Sequence, residues 1–128
     1  MSWKGVKTAL SWLLAVLLSV SFVFSGAMKL PLDDRTVRRF EQWGYNAEFA
    51  VLIGVLEVLA GLFILYPPTV PLAAPTIVVL MLGAVWTHVS SNIGSPWFAA
   101  AYVVMAIGLL ALRWNETQRY LATGARSK

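Results

Sequence analysis

The stretch FAVLIGVLEVLAGLFIL, residues 49–65, is apolar from end to end except for one carboxylate, Glu57. That carboxylate forces a choice. Either the run does not sit in hydrocarbon, or Glu57 is buried in lipid-like surroundings for a reason. The rest of the chain favours the second. Of its 128 residues 59% are hydrophobic and 12% charged, whereas an ordinary soluble domain carries about 25% charged residues. So few charges cannot cover the surface of a soluble domain this small. The length suits one domain.

Four apolar runs stand out, at residues 8–29, 47–66, 71–89 and 96–114. Each approaches the roughly 20 residues that cross about 30 Å of hydrocarbon as a helix. The expectation is therefore an all-α protein. It is a four-transmembrane-helix bundle in one membrane domain, with a frayed tail at residues 115–128. The lipid bilayer is its first partner. Lys4, Lys7 and the small residues Ser25, Gly26 and Ala27 make the first run resemble a signal peptide. Its apolar core exceeds the roughly 7–15 residues of a signal core, so it is read as an uncleaved span.

Composition excludes several chemistries. The chain has no cysteine, which removes disulfide and thiol chemistry. One histidine leaves no multi-histidine metal site, so no metal is expected. The net charge of +4 reflects Lys and Arg flanking spans. No basic helix with interleaved aromatics is present, and no nucleic acid is expected as a partner.

Four spans place both termini on one side. Lys4, Lys7, Arg113, Arg119, Arg126 and Lys128 lie there, against Lys29, Arg35, Arg38 and Arg39 on the other. The basic bias puts both termini in the cytoplasm. Trp3, Trp12, Tyr66, Trp97 and Trp114 fall near span ends, where interfacial anchors belong. Pro67, Pro68 and Pro71 form a stiff turn, with Pro75 expected in the first turn of the third span.

The loop from Pro31 to Gly44 reads as a short amphipathic helix in the first outer loop. Asp33 or Asp34 can cap it, Val37, Phe40 and Trp43 share a face, and Gly44 can end it. It serves either as an anchor on the outer rim or as a lid over a pocket between the spans.

Gly54, Glu57 and Gly61 lie on one helical stripe. Glycines let a second backbone approach, so Glu57 faces protein and not lipid. Gly26 and Gly83 are read for the same packing role. Glu57 is about nine residues below the entry of its span, roughly 13 Å deep. A carboxyl there needs a partner or a proton. Its depth favours the proton, and Lys29, a turn or two above, favours pairing. Lys29, Thr87 and His88 converge on the outer half of the bundle, with Tyr102 between them and Glu57. Ser21 and Ser25 add hydroxyls. Such a cluster is either structural glue or a ligand-binding or proton-relay site.

These residues carry a resemblance. Phe24-Ser25-Gly26-Ala27-Met28-Lys29-Leu30 resembles the F-x-G-x-x-K-L signature of DoxX-like membrane proteins. Gly54, Glu57 and Gly61 resemble that family's G-x-x-E-x-x-x-G. Met81-Leu82-Gly83-Ala84 with Thr87-His88 resembles its third-span motif. FEQWGYN, residues 40–46, resembles the stretch before span two, without its usual proline. The resemblance implies a small four-helix protein of the bacterial inner membrane. It also implies kinship with subunits of quinone-linked oxidoreductases and partners in oxidative-stress defence. Carried over, the family's polar residues are Lys29, Glu57 and His88. The functional expectation is an accessory subunit of a quinone-linked redox system. It has no covalent cofactor, a quinone as ligand, and redox proteins or further copies of itself as partners. Two other readings stand beside it. One is a binder, transporter or assembly factor for a small apolar ligand or partner protein. The other is an isomerase using Glu57, which the lack of a second carboxylate at its depth disfavours.

Overall fold

The computed structural model describes residues 2–92, 94–115, 118, 119 and 122. Among them the chain forms five α-helices and no strand. These are α1 (Trp3–Lys29), α2 (Asp34–Gln42), α3 (Ala47–Phe63), α4 (Val70–Ser91) and α5 (Trp97–Leu112). The expected tail lies mostly outside the described residues.

Local chemistry sets the ends. Ser2, Asp33 and Asn46 cap α1, α2 and α3, accepting from Gly5 N–H at 3.1 Å, Thr36 N–H at 2.8 Å and Phe49 N–H at 2.8 Å. Such side chains satisfy donors that the first helical turn leaves open. Pro31 has no N–H to continue the helical ladder, and α1 stops at Lys29, with Leu32 at φ +50° turning the chain away. Gly44, at φ +89°, closes α2, and Tyr45 N–H returns to Phe40 C=O at 2.8 Å. The proline turn forms a 3₁₀ turn, Pro67–Thr69. Because α4 already starts at Val70, Pro75 lies inside it and not in its first turn as expected.

The Asp33 cap has a pH dependence of known sign. Its carboxylate pKa is lowered first by the bond from Thr36 N–H, then by the Thr36 side chain. The cap therefore contributes fully above the ordinary carboxyl range and is lost as pH falls through the lowered value. The protection factor of the Thr36 amide, its exchange rate relative to that of the unstructured chain at the same pH, should fall on acidification, and in Asp33→Ala it should be low at every pH.

α1 packs most closely on α3, and α4 on α5. α1 also meets α5, and α4 meets α3 more sparsely. The helices thus close a ring in the order α3, α1, α5, α4. Its centre is filled by Leu18 and Phe22 of α1, Ile64 just past α3, Ile77 of α4 and Leu109 of α5. Small residues such as Ala15, Ala60, Ala74 and Ala106 let the backbones approach.

The outside is apolar too. Leu72, Val79, Phe98 and Val104 each expose roughly seven-tenths of their surface. An apolar exterior around a small-residue core fits lipid and not water. By length and composition, α1 and the Pro67–Ser91 stretch are each fit to cross a membrane. α2 and α3 pass only together, bent by 105°, and α5 is apolar but shorter. The four apolar runs thus form α1, α3, α4 and α5, and the first loop forms α2; two helices meet the length of a span, or three spans result if the bent α2–α3 pair is one. The second run falls short because its helix ends at Phe63, three residues before Tyr66.

Candidate ligand cavity and its buried ion pair

The α1–α3 seam places the charges. A Cβ at Gly26 would collide with the Gly54 carbonyl and come 2.9 Å from Val58 N. One at Gly61 would lie 3.0 Å from Ser19 O. The two backbones therefore touch through glycine, as the stripe implied. Gly54 belongs to the same seam, its Cβ position lying 3.1 Å from Lys29 Cβ. Gly83 does not share this role: a Cβ there would meet nothing within 4 Å among the described residues. It lines a cavity instead.

On that seam Lys29 Nζ lies 2.9 Å from Glu57 Oε2. Ser25 Oγ donates to the same oxygen at 2.9 Å and accepts from Lys29 Nζ at 2.8 Å. Lys29 also donates to Ser25 C=O at 3.3 Å. The three side chains form a closed triangle. It answers the question posed by the apolar run: Glu57 has a direct cationic partner. The pair is asymmetric, with side-chain exposure of 21% for Lys29 and 4% for Glu57. Glu57 Oε1 accepts no hydrogen bond among the described residues.

The triangle borders a cavity of about 400 Å³, within the roughly 300–1,000 Å³ of small-molecule sites. All five helices contribute to its wall. Lys29, Glu57, Thr87, His88 and Tyr102 all line it. Tyr102 sets its ring edge against Phe22 at 5.3 Å, and its hydroxyl makes no hydrogen bond among the described residues.

The outer part is aromatic. Phe40, 5% exposed, carries α2 into the bundle. It meets Trp43, Tyr45 and Phe49 at ring distances of 5.4–6.3 Å. All four line the cavity, so the short helix and the turn after it form part of its wall. Thr87 Oγ1 donates to Gly83 C=O at 2.9 Å, so the Tyr45 hydroxyl, 2.8 Å away, is the donor to Thr87. His88 Nδ1 lies 2.7 Å from Ala84 C=O. A carbonyl only accepts, so Nδ1 carries hydrogen and Nε2 is left as an acceptor in the neutral ring. Trp43 packs edge-on against that ring at 5.2 Å.

The site thus has two polar ends, the Lys29–Ser25–Glu57 triangle and the Tyr45–Thr87 and His88 groups. No hydrogen-bonded chain joins them among the described residues. Tyr45 escaped the sequence reading, because only the turn at Gly44 folds it back over the bundle. Ser25 was visible only as one hydroxyl among several on α1.

A family model described as the DoxX-like family matches residues 13–112, well over half of the chain. No curated protein and no solved structure matches.

Proposed function

The chain belongs to the DoxX-like family, and on that premise we propose that it is an accessory membrane subunit of a quinone-linked redox system, binding the quinone in the cavity above Glu57. The observation that carries this reading is the pairing of apolar and aromatic walls with a buried carboxylate–ammonium pair on one side. Ligand sites combine a mostly apolar lining with a few placed polar groups that orient the ligand. A flat ring with carbonyls suits aromatic walls, and the Tyr102 hydroxyl, without a hydrogen bond among the described residues, brings a donor beside the Lys29 ammonium. Oxidative-stress enzymes and further copies of the chain are the partners this reading invokes.

The reading includes a topology. All four apolar runs cross the inner membrane of a bacterium, with α3 and α5 completed by the residues that follow them. Both termini lie in the cytoplasm and the aromatic end of the cavity faces outward. The six-to-four basic bias supports it. A reporter fused after Lys128 should be active only in a cytoplasmic assay; periplasmic activity overturns the orientation.

The gap between the two polar ends favours a second reading, a binder or carrier of a small apolar molecule that moves no protons. Organic extraction of protein purified in mild detergent separates the two. A quinone at near one per chain supports the first. A different lipid-soluble molecule in that ratio supports the second.

A further inference from the structure

The cavity wall is uneven. Most lining residues are buried or half-buried, but three are exposed on the outside as well: Phe49 of α3, and Val79 and Gly83 of α4. Val79 and Gly83 are one turn apart on one face of α4. Phe49 is 37% exposed and Val79 69%. The three line one cavity, and they belong to α3 and α4, which meet sparsely. A Cβ at Gly83 would meet no atom within 4 Å among the described residues. The wall is therefore incomplete beside Gly83, and the gap lies among apolar residues at span depth. A polar ligand gains nothing from such an opening. A hydrocarbon chain does, because it can leave the cavity without crossing a polar surface.

The geometry points to a tail subsite. We infer that the ligand is an amphiphile whose hydrogen-bonding head sits at Glu57, Lys29 and Ser25. Its hydrocarbon tail leaves between α3 and α4 past Gly83 into the bilayer. This rests on the reading of the cavity as a ligand site and adds the ligand's shape and route. Gly83 is the residue that sets the width of the exit. A bulky side chain at position 83 or 79 narrows the exit while the head site stays intact.

The test uses two quinones, decyl-ubiquinone and its tail-less parent 2,3-dimethoxy-5-methylbenzoquinone. Each is titrated against the full-length protein in lipid nanodiscs, followed by difference spectra. The variants are Gly83→Phe and, as a second obstruction, Val79→Trp, each checked for folding by its thermal melt. Wild type should prefer the tailed quinone, and the ratio of tailed to tail-less affinity should fall about tenfold or more in either folded variant. An unchanged ratio in the variants overturns the tail subsite and leaves the cavity reading standing. Gly83→Phe that changes only a dimer population, with the ratio unchanged, assigns the gap to a second copy of the chain and also overturns it. Wild type that binds neither quinone sinks both this inference and the quinone reading.

Discussion

Lys29→Ala should destabilise the protein more than Glu57→Ala, and the double variant should lose less than the two singles combined. Lys29→Ala leaves a carboxylate that is 4% exposed with only Ser25 to hold it. Glu57→Ala leaves an ammonium that is 21% exposed, on a flexible stem that can turn outward. Breaking a buried pair from one side costs about 3–5 kcal/mol, because an uncompensated charge remains. The Lys29→Ala loss should fall in that range and the Glu57→Ala loss below it, discounted for Lys29's access to solvent. The double variant leaves no lone charge. Thermal melts of wild type, both singles and the double close the cycle. Strictly additive losses would show that the two groups do not interact.

The second large effect belongs to Gly26→Ala. Its methyl group would strike the Gly54 carbonyl and crowd Val58 N, both of them backbone. A rotamer change cannot relieve that, so α1 and α3 must move apart. Overpacking of this kind costs about 1–3 kcal/mol. Ser25 and Lys29 flank Gly26 on α1, so the same separation should lengthen their bonds to Glu57. Gly83→Ala is the control. Its methyl meets nothing within 4 Å among the described residues, and alanine in a helix should stabilise by about 0.5–1 kcal/mol. Melts of the two variants should therefore shift in opposite directions. Equal shifts would refute the α1–α3 register.

That register explains what the sequence made legible. An acid in an apolar run must face protein, and flanking glycines mark the facing backbone, so Glu57, Gly54 and Gly61 could be placed from their spacing alone. Lys29 could be chosen as a partner but not set at its distance. Counting residues from the span entries put it a turn or two above Glu57. Gly26 packs opposite Gly54, so the end of α1 lies below the start of α3 and the Lys29 stem needs only to lean inward. Gly83 shows the opposite limit. A glycine that admits a helix and a glycine that leaves a gap look alike in sequence; only the neighbouring atoms distinguish them. Tyr45 and Trp43 reach the cavity through the φ +89° turn at Gly44. Their contacts with Thr87 and His88 join distant parts of the chain, and no local period records them. The short helix itself was plain from its cap, its apolar face and its glycine. Its role as cavity wall depended on where Phe40 packs.

We propose that the cavity bordered by Glu57 and Lys29 binds a quinone-like head. The most direct measurement is a quinone titration of wild type beside the double variant Glu57→Gln, Lys29→Met. That variant keeps side-chain volume and leaves no lone charge, so it should stay folded. The account predicts saturable binding near one per chain in wild type and affinity at least about tenfold weaker in the folded variant, the scale of roughly 1.4 kcal/mol from one lost polar contact. Equal binding in the two proteins would contradict it and return the pair to a purely structural role.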